Sequence, residues 1–197
     1  MKLIFATNNQ HKVEEIRAVL DDNFSILTLK EAGIDIDIPE THDTIEANAS
    51  EKSSVIHQLT GKNCFSEDTG LECEVLNGAP GVKSARYAGE HKSFQDNIDL
   101  LQKNLSGKNN RKAQFKTIIS LLLDNKEYLF EGICKGQIIE EQKGEGGFGY
   151  DPVFVPEGST LTFAQMSMEE KSKISHRAKA VKKLVEFLNN YTPSTNN

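Results

Sequence analysis

A buried strand that runs straight into a polar loop and a helix opens the chain and restricts the folds it can adopt. The apolar run Leu3-Ile4-Phe5-Ala6 predicts the strand, and the polar residues Thr7 to Lys12 form the loop. The apolar residues that come next fall on one helical face: Val13, Ile16, Val19 and Leu20. Because strands that alternate with helices are typical of α/β proteins, we expect the chain to belong to that class.

Further helices and strands follow along the chain. A second helix is expected to begin near Thr44, with Asp43 and Glu46 at capping-box spacing and Gly61 at its end. The other predicted elements are strands at 24–29, 64–66 and 71–76, a helix at 94–105, a hairpin of strands at 113–123 and 127–139, and a last helix at 175–189. We expect one folding unit over residues 1–197, with 189–197 as a frayed polar tail.

Composition excludes several classes of protein. Hydrophobic residues make up 37% and charged residues 26% of the chain, which is ordinary for a globular protein. The sequence lacks an apolar run of about 18 residues and turns polar too early for a signal peptide, so we expect a cytoplasmic protein without a membrane partner. Cys64, Cys73 and Cys134 have no disulfide or zinc pattern and are expected to stay reduced. The net charge of −6 disfavours nucleic-acid polymers as partners and still allows a small anionic ligand.

The loop from Thr7 to Lys12 is a candidate phosphate site. Unpaired backbone N–H groups and the helix dipole both favour an anion at a helix start, and Lys12 adds a positive charge. The loop is not a Walker A motif, since it lacks the glycines and the Gly-Lys pair. An ordinary capped helix with a solvated Lys12 is an equally good interpretation of this segment.

Acidic residues suggest a metal site in the first half of the chain. Glu67 and Asp68 follow Cys64-Phe65-Ser66, which we expect to be buried, and Glu40 and Glu46 precede them. Carboxylate oxygens are the ligands that Mg²⁺ prefers alongside substrate phosphates. We expect Glu67 and Asp68 at the carboxyl end of a strand, where ligands of α/β sheets gather, although most acidic residues are simply solvated.

The segment Gly146-Gly147-Phe148-Gly149-Tyr150-Asp151-Pro152 is a candidate nucleotide-binding loop. Its rings offer stacking faces for a base, while glycine lets the main chain approach the base edge. So many glycines cost backbone entropy, which favours a function over a glycine-rich turn with core aromatics. His176 and Arg177 lie in the first turn of a helix capped by Ser175, where the dipole opposes positive charge, and this suggests another use for them.

Several motifs together resemble the inosine triphosphate pyrophosphatase family. The resemblance runs in order from Leu3 to about Leu188. The segments that carry it are Ala6-Thr7-Asn8-Asn9 through Lys12, Ser66 to Leu71, Gly78 to Gly81 with Ser84 to Tyr87, Gly146 to Pro152, and Glu170-Lys171 with Ser175 to Arg177. Agreement of several independent motifs is far more specific than any one of them.

The resemblance implies a Mg²⁺-dependent homodimer that hydrolyses ITP, dITP and XTP to the monophosphate and pyrophosphate. It implies an elongated α/β fold with a mixed central sheet and two lobes around an active-site cleft. In this family the carboxylate at Asp68 activates water and binds metal, and we choose Glu40 as a second metal ligand. The residues expected to bind the nucleoside triphosphate are Thr7, Asn8, Asn9, Gln10, His11, Lys12, Lys52, Thr69, Phe148, Gly149, Tyr150, Asp151, Lys171, His176 and Arg177.

Discrimination between bases is expected to depend on the six-position of the purine. Inosine and xanthine present an acceptor there, whereas adenine presents a donor. A site built from donors would leave them unpaired against adenine, at a cost of about 1–3 kcal/mol per buried group. Main-chain N–H groups near Gly149 and Tyr150, with His176 and Arg177, are the candidate donors.

Three other interpretations stay open. A related pyrophosphatase would act on modified pyrimidines with the same metal and phosphate chemistry. A nucleotide sensor would keep the cleft without hydrolysis, which the presence of Asp68, Lys12 and Lys171 disfavours. An RNA-binding module is disfavoured by the acidic net charge.

Overall fold

A single mixed sheet with helices packed on both of its faces forms the framework of the protein. The computed structural model describes residues 2–20, 23–91 and 93–192. The strands are β1 (Lys2–Phe5), β2 (Ser25–Thr28), β3 (Cys64–Cys73), β4 (Pro80–Gly81), β5 (Lys112–Leu123), β6 (Lys126–Ile138) and β7 (Phe154–Pro156). Their order is β2-β1-β3-β5-β6-β7, with β4 beside β3. The strand β1 is parallel to β2 and β3, whereas β3, β5, β6 and β7 pair antiparallel. The expected α/β class with a mixed sheet is confirmed.

Five helices accompany these strands in the part of the chain that the structure describes. They are α1 (Gln10–Arg17), α2 (Ile45–Thr60), α3 (Phe94–Leu105), α4 (Met168–Ile174) and α5 (His176–Asn190). Short 3₁₀ turns lie at Glu74–Leu76, Ser84–Arg86 and Phe163–Gln165. The bounds of α2, α3 and α5 lie within two residues of the predicted ones, because each has a clear apolar face. The first helix ends at Arg17, before the predicted Val19 and Leu20, and α4 was not predicted.

The start of α2 differs from the predicted capping box. Thr44, not Asp43, is the N-cap, and its hydroxyl accepts a hydrogen bond from the Ala47 N–H at 3.1 Å. Both residue types cap helices well, so spacing alone could not choose between neighbours. The other end is as predicted, since Gly61 adopts the left-handed conformation with φ of 64°.

Alternation along the central strands divides the core between the two faces of the sheet. Ile118 packs with Ile45 and Ala49 of α2, whereas Ile119 packs with Val181 and Leu184 of α5. Consecutive residues of a strand point to opposite faces, so β5 contacts both helices at once. A further cluster forms where α3 packs on the far half of the sheet, and it includes Leu101, Leu105, Phe115, Cys134 and Phe154.

Two expectations about strand and helix ends are wrong. The residues Glu67 and Asp68 do not separate two strands, because β3 is continuous from Cys64 to Cys73 and pairs with β5 along its whole length. The last helix extends to Asn190, so Asn189 and Asn190 belong to it and not to a frayed tail. Residues 193–197 of the predicted tail lie outside the described residues.

Two further features concern the cysteines and the helices. Cys64, Cys73 and Cys134 are free and buried. Among residues 2–20, 23–91 and 93–192, no helix combines the length and the apolar character needed to cross a membrane.

Contact between α5 and β6 depends on one glycine. A Cβ atom at Gly132 would lie 2.0 Å from the His176 carbonyl oxygen and 2.6 Å from the Ala180 nitrogen. Both are backbone atoms of α5, which cannot move aside as a side chain can. Gly132 therefore sets how closely the helix that carries His176 and Arg177 approaches the sheet.

We predict that Gly132→Ala destabilises the protein by about 3 kcal/mol, at the upper end of overpacking losses. The measurement is the free energy of unfolding from urea titration. Gly158→Ala is the control, because Gly158 has φ of 81° and open space around it, so the change costs only about 1–2 kcal/mol of backbone conformation. Equal or smaller loss in Gly132→Ala than in the control would contradict the prediction.

Candidate active site

A cleft of about 410 Å³ opens beyond the carboxyl end of β1. Strand β1 pairs with β3 only as far as Phe5 opposite Phe65, and β4 pairs with β3 only at Leu71 and Glu72. In the described sheet, residues 66–70 of β3 therefore pair with β5 alone and leave one edge toward the cleft. The volume lies within the usual range for a small-molecule site, about 300–1,000 Å³.

Most of the predicted site residues line this one cleft. They are Thr7, Asn8, Asn9, Lys12, Glu40, Lys52, Asp68, Thr69, Phe148, Gly149, Tyr150, Asp151, Lys171, His176 and Arg177. They come from the first loop, the segment before α2, α2 itself, β3, the glycine-rich loop, α4 and α5. The fold thus brings together motifs separated by up to about 170 positions along the printed sequence.

Gln10 and His11 were expected to bind substrate but do not line the cleft. Helix α1 already begins at Gln10, whose exposed amide donates to Glu14 Oε1 at 3.3 Å. The His11 ring is also exposed and stacks on Phe148, with ring centroids 5.0 Å apart. These two positions therefore correct the extent of the predicted loop, which reaches the cleft through Thr7, Asn8, Asn9 and Lys12.

The first loop is ordered by its own side chains. Asn9 caps α1 by accepting from the Lys12 N–H at 3.2 Å, and Thr7 Oγ1 accepts from the Asn9 N–H at 3.1 Å. The Lys12 ammonium lies 3.4 Å from Glu67 Oε1, so it is paired and not freely solvated. The capped-helix interpretation of this segment and the phosphate-site interpretation are therefore compatible.

One ion cluster lies on the α2 side of the sheet and joins Asp68 to Glu40. Lys52 Nζ donates to Asp68 Oδ1 at 3.0 Å and to Glu40 Oε1 at 2.8 Å. Burial alone would lower the pKa of Lys52, but attraction to Asp68 and Glu40 outweighs it and raises that pKa. Two carboxylates thus converge on a single cation inside the cleft.

The two carboxyl groups of this cluster are shifted in opposite directions. Burial, with the nearby charge of Glu40, raises the pKa of Asp68 in spite of Lys52 and Lys12. Burial acts in the same sense on Glu40, but the charge of Lys52 outweighs it and lowers the pKa of Glu40 to about 2. Asp68 is consequently the stronger base of the pair, and Glu40 stays ionised.

A second ion cluster lies on the other face of β3 and is almost fully enclosed. The Arg177 guanidinium donates from Nε to Glu67 Oε2 at 2.7 Å and also pairs with Glu15. Lys171 donates to Glu15 Oε1 at 2.5 Å and to Asp151 Oδ2 at 2.6 Å. Residues 67 and 68 face opposite sides of a strand, which explains why neighbouring carboxylates have different partners.

Charge pairing decides the protonation of these buried acids. Burial would raise the pKa of Glu15, but Arg177 and Lys171 outweigh it and lower that pKa to about 2. Arg177 likewise outweighs burial at Glu67 and holds its pKa well below the usual range. The N–H groups of Arg177 thus donate to carboxylates. The guanidinium stabilises these buried acids, which is a structural role that the sequence did not indicate.

His176 differs from the cations around it because it is neutral. Its ring is 3% exposed and stacks on Phe115 with centroids 4.5 Å apart. Burial, with the positive charge of Arg177, lowers the pKa of His176 well below 6.5. Its Nδ1 atom has no hydrogen-bond partner among the described residues although it is buried. A buried polar atom without a partner is unusual in a protein, and the residue that carries it lines the cleft.

The two rings of the glycine-rich loop have different positions. Tyr150 is buried and its hydroxyl donates to the Ser84 carbonyl at 2.8 Å. Phe148 is half-buried, with Lys171 Nζ 5.4 Å and Arg177 Cζ 5.5 Å from its ring centroid. Both residues line the cleft, and Phe148 is the more exposed of the two, so it is the better placed to contact a base. The loop itself is tied by the Phe148 N–H to Asp151 Oδ2 at 2.9 Å.

Other expectations about acidic residues are also corrected by the structure. Glu46 does not join the metal candidates, since it pairs with Lys116 at 2.5 Å on the outer part of α2 and does not line the cleft. Glu15, Arg86 and Phe94 were not predicted as site residues. Glu15 is buried in α1 together with Val13 and Ile16. A charged residue between these apolar positions was the feature of the sequence that could have indicated a buried ion pair.

Comparison with known proteins places the chain in a family. The Ham1 family model matches residues 3–187. A dITP/XTP pyrophosphatase of Flavobacterium psychrophilum is 53% identical over 190 residues, which cover 96% of this chain and all of that protein. A dITP/XTP pyrophosphatase of Porphyromonas gingivalis is 52% identical over 188 residues, or 95% of this chain and 97% of the relative.

Solved structures agree with this assignment. The Staphylococcus aureus Ham1 protein has a TM-score of 0.87 and 38% identity, over 96% of this chain and 98% of that one. A HAM1 protein from Coxiella burnetii has a TM-score of 0.89 and 31% identity, over 97% of this chain and 100% of that one. Sequence, fold and full-length coverage together show that this chain belongs to the Ham1 family.

Proposed function

We propose that this protein hydrolyses ITP, dITP and XTP to the nucleoside monophosphate and pyrophosphate. The observation that carries the proposal is a single cleft lined both by the charged side chains of Lys12, Lys52, Asp68 and Glu40 and by the rings of Phe148 and His176. This arrangement matches a ligand with a charged polyphosphate and an aromatic base. Relatives more than 50% identical are named dITP/XTP pyrophosphatases, which supports the same substrate class here.

Glu40 and Asp68 are the proposed ligands of Mg²⁺. Their oxygens already converge on one cation, the Lys52 ammonium, at 2.8 Å and 3.0 Å. The described residues contain no group of three or more His, Cys, Asp or Glu side chains that would enclose a metal alone. This fits Mg²⁺, which usually keeps several waters and takes one or two carboxylates plus substrate phosphates. When bound, Mg²⁺ would neutralise charge on the phosphate oxygens and polarise them.

Asp68 is the proposed general base. Its carboxylate lies inside the cleft beside Lys52 and takes the proton from the water that attacks the α-phosphorus. The α-β phosphoanhydride bond then breaks and pyrophosphate leaves. Lys12 and Lys52 hold the phosphates and offset the charge of the leaving group.

The base is proposed to lie against Phe148 and His176. A neutral imidazole hydrogen-bonds through one nitrogen as a donor and through the other as an acceptor. With the N–H of the imidazole at its unpaired nitrogen, His176 would donate to the six-keto oxygen of inosine or xanthine and leave that donor unpaired against the amino group of adenine. Main-chain N–H groups near Gly149 and Tyr150 are further candidate donors.

The setting of this activity is part of the proposal. We place the protein in the cytoplasm as a homodimer that acts on free nucleoside triphosphates, without nucleic-acid or membrane partners, as one domain over residues 1–197. The buried free cysteines support a reducing compartment, and the resemblance to the inosine triphosphate pyrophosphatase family supports the dimer.

We predict metal-dependent release of pyrophosphate from ITP, dITP and XTP that is much faster than from ATP, GTP or dUTP. The measurement is pyrophosphate released by the purified protein, with Mg²⁺ or with chelator. Similar turnover of ATP and ITP would contradict the donor-based discrimination. Preference for dUTP would instead support a pyrimidine-specific enzyme, and no turnover of any nucleotide would support a sensor.

Asp68→Asn is predicted to lower kcat by about 10²–10⁴-fold, the usual contribution of a general base, while the fold is kept. The Asn side chain has the same shape but cannot accept the proton or carry the negative charge. Glu46→Gln is the matched control, because Glu46 pairs with Lys116 outside the cleft and should leave kcat near the wild-type value. Wild-type kcat in Asp68→Asn would remove Asp68 from the mechanism.

Phe148→Ala is predicted to raise the KM for ITP by about 5- to 150-fold, since base–aromatic stacking contributes about 1–3 kcal/mol. Tyr150→Phe is the control: it loses the hydrogen bond to Ser84 and some stability but keeps its ring in the wall. A KM unchanged by Phe148→Ala would place the base elsewhere in the cleft.

A further inference from the structure

The segment that carries Glu40 lines the cleft without belonging to a helix or strand. Residues 29–44 connect β2 to α2, and Ile36, Asp37, Ile38 and Glu40 of this connection line the cleft. Side chains from three other parts of the chain hold its backbone. The Asn8 amide donates to the Ile36 carbonyl at 3.3 Å, Asn48 of α2 bonds both the N–H and the carbonyl of His42, and Arg86 donates to the Glu40 carbonyl at 2.6 Å.

The contact with Arg86 differs from the others because it involves both the backbone carbonyl and the side-chain carboxylate of one residue. Nη2 of Arg86 binds the Glu40 carbonyl, and Nη1 lies 3.6 Å from Glu40 Oε2. The other carboxylate oxygen, Oε1, receives the Lys52 ammonium. Glu40 is therefore fixed from the cleft side by Lys52 and from the opposite side by Arg86, which does not itself line the cleft.

The backbone that carries Arg86 is held by hydrogen bonds from buried side chains. Arg86 ends the 3₁₀ turn Ser84–Arg86, whose carbonyl groups are bound by buried side chains. Tyr150 donates to the Ser84 carbonyl at 2.8 Å, and Asn97 of α3 donates to the Ala85 carbonyl at 3.0 Å. The position of Arg86 thus depends on the packing of α3 and the glycine-rich loop, and not on the segment that it holds.

We infer that Arg86 is a positioning residue that orients the Glu40 carboxylate toward the divalent cation. The inference rests on the proposed metal site. A cation at Glu40 and Asp68 competes with the Lys52 ammonium for the same oxygens, because like charges repel at such short distances. If the cation displaced Lys52, Arg86 would still contact both the carbonyl and the carboxylate of Glu40. No other side chain in the described part of the chain has both contacts.

The test measures the binding of Mn²⁺ to the intact protein by calorimetry, alone and with imidodiphosphate as an unreactive relative of pyrophosphate. Arg86→Ala is expected to raise the Kd for Mn²⁺ about tenfold, the lower end of the effect of residues that orient metal ligands. The metal concentration that gives half-maximal ITP hydrolysis should rise by the same factor, while KM for ITP at saturating metal changes less than about twofold. Arg86→Lys keeps the charge but loses the two-pronged geometry, so it should give an intermediate Kd.

Arg111→Ala is the matched control. Arg111 also donates to a backbone carbonyl, that of Ile138 at 2.7 Å, but it does not line or adjoin the cleft. This control should lose stability without a change in Mn²⁺ affinity.

Three results would overturn the inference. They are a wild-type Kd for Mn²⁺ in Arg86→Ala, an equal loss of Mn²⁺ affinity in Arg111→Ala, and the absence of Mn²⁺ binding to the wild type. Absence of hydrolysis in the wild type, with a Kd that still rises in Arg86→Ala, would contradict the proposed function alone.

Discussion

The early end of β1 is the constraint on which the rest of the site depends. Because β1 stops opposite Phe65 while β3 continues to Cys73, one edge of β3 borders a cleft instead of another strand. Consecutive residues there point to opposite faces, so Glu67 and Asp68 each enter a buried environment. A buried carboxylate must be paired with a positive charge, and α5 and α2 supply Arg177 and Lys52.

The two ion clusters are built alike but suit different tasks. Arg177 and Lys171 are matched by Glu15, Glu67 and Asp151, and removal of one partner from such a buried set costs about 3–5 kcal/mol. This cluster joins α1, β3, α4 and α5, and so fixes the walls of the cleft. In the other cluster a single ammonium is shared by Asp68 and Glu40, whose pKa values move apart. Groups with separated pKa values are typical of acid–base chemistry.

The part of the cleft wall that His176 forms follows from close packing of α5 on the sheet. Gly132 lets the His176 backbone approach β6, and the ring then stacks on Phe115 away from water. Burial and the neighbouring guanidinium keep this histidine neutral, which leaves an uncharged nitrogen in the wall.

Local periodicity in the sequence determined the helices α2, α3 and α5, the β5–β6 hairpin and the glycine at the end of α2, because these depend on residues close together in the chain. The motifs also pointed to Asp68, Lys171 and His176 as members of one site. Tertiary structure alone decided that Glu67-Asp68-Thr69-Gly70 is strand and not turn, since close approach of Gly81 and buried cations from distant helices outweigh local preference. It also decided the roles of Glu15 and Arg86, whose partners lie 162 and 46 positions away. Such pairings depend on how the sheet brings distant segments together, and no local pattern encodes them.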